Sequence, residues 1–497
     1  MSDFGDRHSG TIGGQLHDAD SISPISVCVK VEAGAETSSV QHTVAMTCNL
    51  LSRLKNVVSA ISVDTPEGAM LRDGIIPGST PGLPLKEELK RYVTRIGVIP
   101  LATPEHSSMT VYAGPGDAHG PRAVGLAWSG GITLTGYSAW DCDSTLPFGP
   151  YIAACFLAAE VFRMKRLRGY KPASSAYYDC WDLAPHNGLS DLGPRELTPF
   201  ALAPVTLVGV GVVGAAWLQA MWAAPAAQID CLACDGDEAG IDDTNLNRYS
   251  LFGVGDVGKK KAYAAAALLS RAGFNLVARD IPFETLDEEG VRDIVICAAD
   301  TNEARGIVQS KYRPVALMAS THNMRAEILR SVRPGEMACL RCYNPPVIRP
   351  SDETLRKKIG NLSESALREL TDQAKVGPND AEEYMKTGKC GEAGEALLAV
   401  MRVSFEERAA RFAIGFASVA AGTLLAAETI KLGIPDAQGM SLDRNRAVLQ
   451  FQRPDKNGAA SALAREGTCP ACREGAALRI WRERFAAHSY NDRLLDI

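Results

Sequence analysis

The chain predicts an α/β fold: a doubly wound, largely parallel sheet of the nucleotide-binding type. Three observations carry that expectation. From Pro204 onward, short apolar runs end near Val210, Cys234, Arg279, Cys297 and Ala319, with helix-like segments between most of them. Such alternation implies parallel strands covered by helices on both faces. The first run, Val205-Thr-Leu-Val, enters Gly209-Val-Gly211-Val-Val-Gly214 and then an Ala-rich helix, a strand–turn–helix pattern whose helix start favours an anionic ligand. Two later runs lead into aspartates, Asp235 and Asp300, and ligands of open parallel sheets sit beyond the carboxyl ends of the strands. Arg325 to Val332 has a strand-like pattern that continues the sheet as an antiparallel extension.

Each glycine has its own expected part. Gly209 and Gly211 permit a tight turn and close approach of backbone to ligand, and Gly214 permits close helix–strand packing. Asp235 is placed to bind ribose hydroxyls, with Asp237 able to assist or replace it. Asn245, Arg248 and Lys261 follow closely. Together they suit several phosphate charges, which a dinucleotide dehydrogenase does not need and an enzyme expelling pyrophosphate does.

At 497 residues the length suggests two or more domains. An apolar fraction of 46% and a charged fraction of 22% are those of an ordinary globular protein. A net charge of −6 gives no reason for a nucleic-acid surface. Thirteen cysteines without a secretory leader suggest a reducing cytosol, with metal or thiol chemistry rather than disulfides. Residues 1–24 read as a flexible tail, 25–196 as an accessory α/β domain and 197–497 as the nucleotide domain. In the accessory domain Ile25 to Val31 reads as a strand, and Pro147-Phe-Gly-Pro150 precedes an apolar helix from Tyr151 to Met164. The polar stretch 351–388 reads as a long crossing connection carrying two short helices, with Ser351 and Ser363 as caps and a break at Pro378. Phe412 to Ala427 is apolar but shorter than the ~20 residues that span a bilayer, so it is expected as a buried helix.

Cys339-Leu-Arg-Cys342 and Cys469-Pro-Ala-Cys472 each present two thiolates on a tight knuckle, and the four together make a tetrahedral zinc shell. Cys231 and Cys234 lie on a predicted strand, where positions three apart face opposite ways, so they are expected in the core. Cys390, in Lys389-Cys390-Gly391-Glu392-Ala393-Gly394, precedes a long helical region, where nearby amides and Lys389 favour a thiolate. The remaining cysteines, among them Cys28, Cys48, Cys142, Cys155, Cys180 and Cys297, are expected to pack as small hydrophobes.

The glycine turn, the acidic strand end, Asn245-Leu-Asn-Arg248, the Gly-Lys-Lys-Lys261 context and Ile294-Val-Ile-Cys-Ala-Ala-Asp300-Thr-Asn-Glu-Ala-Arg305 resemble the E1-like activating enzymes. That superfamily comprises ubiquitin activators and the adenylyltransferases of sulfur-carrier proteins. The resemblance covers roughly residues 197–475, with an Asp235-to-Asn245 segment slightly longer than usual. It implies ATP above Gly209–Gly214, Mg2+ held by Asp300, and Zn2+ on the two cysteine knuckles. It makes Cys390 the acceptor of a thioester, by likeness to the Cys-Ala-Glu-Ala-Gly segment of sulfur-carrier activators. It also makes 25–196 a degenerate half without nucleotide chemistry. A degenerate half fused before an active one is most like the E1-like proteins of bacterial ubiquitin-like conjugation operons, including those of antiphage defence. The implied partners are a ubiquitin-like protein and an E2-like carrier, with a homodimer left open and neither nucleic acid nor membrane expected. The alternatives are a sulfur-carrier adenylyltransferase and, in a different class, an NAD(P)-dependent oxidoreductase, which leaves Asn245, Arg248, Lys261 and the four cysteines without a role.

Overall fold

The computed structural model describes residues 16–17, 21–138, 142–173, 175–224, 227–346, 352–387, 392–407, 414–434 and 444–487. The chain divides into two compact units, one made of 1–345 with 413–497 and the other of 346–412.

The larger unit contains two sheets. The first is built from β1 (Ile25–Lys30), β2 (Val58–Asp64), β3 (Met109–Ala113), β4 (Arg122–Leu126), β5 (Ser129–Thr133), β6 (Ser175–Asp179) and β7 (Ala184–His186), in the order β2-β1-β3-β4-β5-β6-β7. The second uses β8 (Phe200–Ala201), β9 (Val205–Val208), β10 (Ala227–Cys234), β11 (Phe274–Arg279), β12 (Ile294–Cys297), β13 (Val315–His322), β14 (Arg325–Ser331) and β15 (Arg446–Gln450). Its order is β11-β10-β9-β12-β13-β14-β15, with β8 beside β10. Strands β11 to β13 along that path are parallel, and β14 and β15 run antiparallel. The doubly wound, largely parallel sheet read from the sequence is therefore present, including the antiparallel extension at Arg325. The first sheet follows a similar path without a counterpart of β11: β2, β1, β3 and β4 are parallel, then β5, β6 and β7 turn antiparallel.

Apolar helices lie between these sheets. They are α1 (Ser38–Leu51) and α3 (Phe148–Arg166) from the first, and α4 (Val212–Ala223) and α12 (Gly415–Lys431) from the second. All seventeen residues of α12 are buried, which explains why its sequence is apolar around its whole circumference rather than along one stripe. It packs on α4 through Gly422, where a Cβ would come within 2.6 Å of both Ala216 Cβ and Trp217 N. It also meets α3 through Phe416 and Phe162, whose rings cross edge to face at 5.9 Å. Among the described residues, no helix is long and apolar enough to cross a membrane. The charged end of α12 is tied inward as well. Lys431 Nζ donates to the carbonyls of Cys180 and Trp181 at 3.0 and 2.8 Å and pairs with Glu428, while Arg330 pairs with Glu428 from β14 at 2.9 Å.

The opposite face of the second sheet is closed by α6 (Asn302–Ser310) and α7 (Leu340–Tyr343) over a core of Val208, Val295, Cys297, Met318 and Leu329. Two further helices complete the larger unit, α2 (Leu85–Ile96) and α5 (Lys261–Leu268), with α13 (Ala476–Ala486) near its C-terminal end.

The smaller unit is helical: α8 (Asp352–Gly360), α9 (Glu364–Ala374), α10 (Pro378–Thr387) and α11 (Glu392–Glu407). Three short helices thus occupy the stretch expected to hold two. Ser363 caps α9 as expected, accepting from the Ala366 amide at 3.3 Å, whereas Ser351 lies outside the described residues. Pro378 starts a helix rather than only breaking one, since proline fits a first helical turn whose amides lack partners. The polar composition concealed a core: Leu355, Ile359, Leu370, Ala381, Tyr384, Leu397 and Leu398 are spaced so that the helices share one apolar centre.

The α12–α4 contact yields the first prediction. Gly422→Val forces two helix backbones apart and should destabilise the protein by about 1–3 kcal/mol. The midpoint of urea unfolding measures this, and a midpoint equal to the parent's would contradict the packing described.

Candidate functional site

The glycine turn leaves β9 with Gly209 in the left-handed region at φ +88°. A Cβ there would stand 3.2 Å from the Ala298 carbonyl oxygen, where β12 exits the sheet. A Cβ on Gly214 would overlap the Gly209 carbonyl oxygen, so this glycine allows α4 to sit on the turn. Gly211 has an ordinary backbone conformation. Its φ of −69° is open to any residue, and it is the N-cap of α4 with nothing within 4 Å of its Cβ direction. The tight turn rests on Gly209, while Gly211 leaves clear space before the first-turn amides of α4.

Asp235 follows β10 and holds the turn from beside it. Its carboxylate accepts from the Val210 amide at 2.7 Å and from the Asp237 amide at 3.1 Å. Lys261, the first residue of α5, brings its ammonium within 3.7 Å of Asp235 and pairs directly with Asp237. That ammonium holds the Asp237 carboxyl below its ordinary range. The longer segment after Asp235 is an ordered turn: Gly240 is left-handed, and Ile241 exchanges backbone hydrogen bonds with Gly258 and Lys259 at 2.9 Å. Asp242 caps the short 3-10 turn Asp243–Asn245, accepting from Thr244 N at 2.7 Å.

Arg248 is buried and donates to the Asn245 side chain. Asn245 and Arg248 therefore form one unit, joined further by the bond from Arg248 N to Asn245 O at 2.9 Å. Tyr249, which the sequence did not mark, is buried beside it. Burial raises its hydroxyl pKa, Asp235 and Asp237 add to the rise, and Arg248 opposes it. Asp300 stands exposed one residue before Thr301, whose hydroxyl caps α6 by accepting from Ala304 N at 3.1 Å. Arg305 anchors this corner to Ala299 O at 3.1 Å and to the Asn344 side chain at 2.8 Å. His322 ends β13 opposite Arg325, and β13 runs on past Ala319 to include it.

The sequence-predicted residues Gly209, Gly211, Gly214, Asp235, Asp237, Asn245, Arg248, Lys261 and Asp300 thus all follow the ends of β9, β10 and β12 or the turns between them. A lysine, an arginine, an asparagine and helix-start amides on one side of a sheet suit a polyanion.

Cys339, Cys342, Cys469 and Cys472 meet at the far end of β14. Their sulfurs all lie within 4.8 Å of one another. Individual separations are 3.7 Å for Cys339–Cys342, 3.8 Å for Cys339–Cys469 and 3.5 Å for Cys342–Cys472. Four thiolates about 2.3 Å from a zinc ion stand about 3.8 Å apart, so this donor set fits zinc. The amides of Cys342 and Glu466 donate to Cys339 Sγ and Cys342 Sγ at 3.4 Å, which favours thiolate. Leu478 and Trp481 of α13 close the cluster.

Cys390 lies outside the described residues. Cys231 and Cys234 are buried on β10, and burial raises both thiol pKa values, that of Cys234 to about 11. Cys28, Cys48, Cys155, Cys180 and Cys297 are likewise buried, whereas Cys142 is only half-buried.

Comparison with known proteins gives one family match. The ThiF family model matches residues 185–470. Solved structures that align include E. coli MccB with MccA-N7isoASN, 18% identical over 55% of this chain and 67% of that one, TM-score 0.36. Another is the Microcin C7 biosynthetic enzyme MccB in complex with N-formylated MccA, 18% identical over 54% and 67%, TM-score 0.35. No curated protein matches.

The four-sulfur geometry makes a prediction independent of any activity. Purified protein should carry about one zinc per chain, since four thiolates complete a tetrahedral shell. Elemental analysis of the parent and of Cys342→Ala and Cys469→Ala checks it. A folded, zinc-free parent, or variants that keep the metal, would refute the site.

Proposed function

Because the chain belongs to the ThiF family of ATP-dependent adenylyltransferases, we propose that it adenylates the C-terminal carboxylate of a ubiquitin-like protein, captures it on Cys390 and passes it to an E2-like carrier. The observation that supports this reading is the group of Asp235, Asp237 and Lys261 beside the Gly209 turn, with the paired Asn245 and Arg248 on the segment between Asp237 and Lys261. ATP lies with its ribose toward Asp235 and its phosphates toward Arg248, Lys261 and the start of α4. A carboxylate oxygen of the partner attacks the α-phosphorus, the bond to the bridging oxygen of the β-phosphate breaks, and pyrophosphate leaves. Two anions must be brought together for this step, so the residues act by positioning and by neutralising developing charge. Asp300 is the carboxylate that holds Mg2+, which when bound neutralises phosphate oxygens. The Cys390 thiolate then attacks the acyl carbon, AMP leaves, and a thioester remains for transfer to the carrier's thiol.

In the same reading residues 25–196 are a degenerate counterpart of 197–497, which the similar strand order β2-β1-β3-β4-β5-β6 and β10-β9-β12-β13-β14-β15 supports. A reducing cytosol suits the zinc thiolates, and a bacterial conjugation operon of the antiphage type suits two fused halves. Activation of a sulfur carrier shares the adenylation step and differs only in the fate of the acyl group.

Exchange of radiolabelled pyrophosphate into ATP, dependent on a ubiquitin-like protein, tests the first step. Lys261→Ala and Asp300→Ala should each slow exchange by ~10²–10³-fold, the usual effect of losing one preorganised electrostatic stabiliser. Parental exchange in both variants would remove these residues from the site.

Cys390→Ala separates the second step from the first. It should keep pyrophosphate exchange and lose the reductant-sensitive adduct seen on a non-reducing gel with MgATP and carrier. An adduct that persists would place the acceptor thiol elsewhere.

A further inference from the structure

Helix α1 belongs to the first sheet, yet its last turn reaches the turn that carries Arg248 in the second. Arg53, just past the end of α1, is 1% exposed. Its guanidinium donates to the Leu246 carbonyl at 2.5 Å, the Phe252 carbonyl at 2.8 Å and the Asn49 side-chain oxygen at 2.7 Å. The Asn49 amide in turn donates to the Ser250 carbonyl at 2.6 Å and to the Tyr92 hydroxyl from α2. Carbonyls on both sides of Arg248, at positions 246, 250 and 252, are thereby fixed by Asn49 in the last turn of α1 and by Arg53 just past its end. The start of α12 closes on the same turn: a Cβ on Gly415 would stand 3.1 Å from the Asn247 carbonyl oxygen.

We propose that Arg53, assisted by Asn49, is a positioning residue for the Asn245–Arg248 turn, so that the first sheet sets the nucleotide affinity of the second. The proposal rests on Arg248 being a phosphate ligand, as read above. Bonds from a charged guanidinium to backbone carbonyls are about twice as strong as neutral ones and define direction as well as distance. Burial lowers the Arg53 pKa only to about 10, so the group stays charged at neutral pH. A planar fork donating to two carbonyls six residues apart in sequence sets the width of the loop. Lysine, a point donor on a flexible stem, cannot do the same. Arg53 acts through the backbone on either side of Arg248 rather than by touching the nucleotide.

The test uses the full chain with Arg53→Lys and Asn49→Ala, which remove less than a truncation at Arg53 would. In nucleotide-free protein, amide hydrogen exchange over 246–252 should quicken at least ~10-fold in both variants, as expected when hydrogen bonds to a charged group are lost. Exchange in β9, β12 and α12 should stay as in the parent. Titration with ATP and Mg2+ by calorimetry should show ~10-fold or weaker binding for Arg53→Lys. The same substitution in an Arg248→Ala background should cost little more, because residues acting through one another are not additive. Unchanged loop exchange, parental ATP affinity in both variants, or additive losses in the double variant would each overturn the proposal. A parent protein that binds no ATP would instead overturn the functional reading, and the exchange arm would still decide whether Arg53 holds the turn.

Discussion

The burial of α12 is the constraint on which the rest of the larger unit depends. A seventeen-residue helix with no exposed face must be covered on every side, and one sheet with its own helices cannot do that. The cover comes from α4 through Gly422, from α3 through Phe162 and Phe416, and from the loops at its ends. Both ends then carry consequences. At its start, Gly415 lets the helix approach the backbone of Asn247 and Arg248. At its end, Lys431 and Glu428 are held in a buried cluster with Arg330 and the carbonyls of Cys180 and Trp181. A buried charged cluster of this kind is costly to break at one member, and it links the last turn of α12 to the exit of β6.

The same logic connects the two sheets to the site. The second sheet supplies the strand ends and the first supplies a wall. From that wall Arg53 and Asn49 hold the turn of Arg248, and α2 packs at Gly97 against Val254, shortly before Lys261. The residues proposed to meet phosphate lie outside the strands, on turns and helix starts, and turns need external support to keep a fixed geometry. The zinc-type cluster acts on another edge: Asn344, one residue past α7, binds Arg305, which steadies the corner containing Asp300.

Much of this was legible in the sequence because the relevant signals are local. A strand leading into Gly209, a helix opening after Gly211 and an aspartate after each of two later apolar runs are set by neighbours a few residues away. The two Cys-x-x-Cys pairs were legible for the same reason, although only the fold brings Cys339 within 3.8 Å of Cys469. Arg53 was not legible. It sits in no motif, and its partners at 246 and 252 are backbone carbonyls some two hundred residues away, which leave no mark on side-chain identity. Tyr249 escaped because a tyrosine beside an arginine is ordinary in a sequence, and only the fold buries it. The core of the helical unit escaped because its apolar residues are sparse, one or two per turn among many charges, and become a cluster only when four helices meet.

The proposed nucleotide site lies at the ends of β9, β10 and β12, with the turn of Arg248 held from the first sheet. A crystal structure of the protein with Mg2+ and a non-hydrolysable ATP analogue tests it most directly. The account predicts phosphate oxygens within hydrogen-bonding distance of Lys261, Arg248 and the amides that open α4, with the ribose at Asp235. Nucleotide bound at the first sheet instead, or phosphates turned away from Lys261 and Arg248, would contradict it.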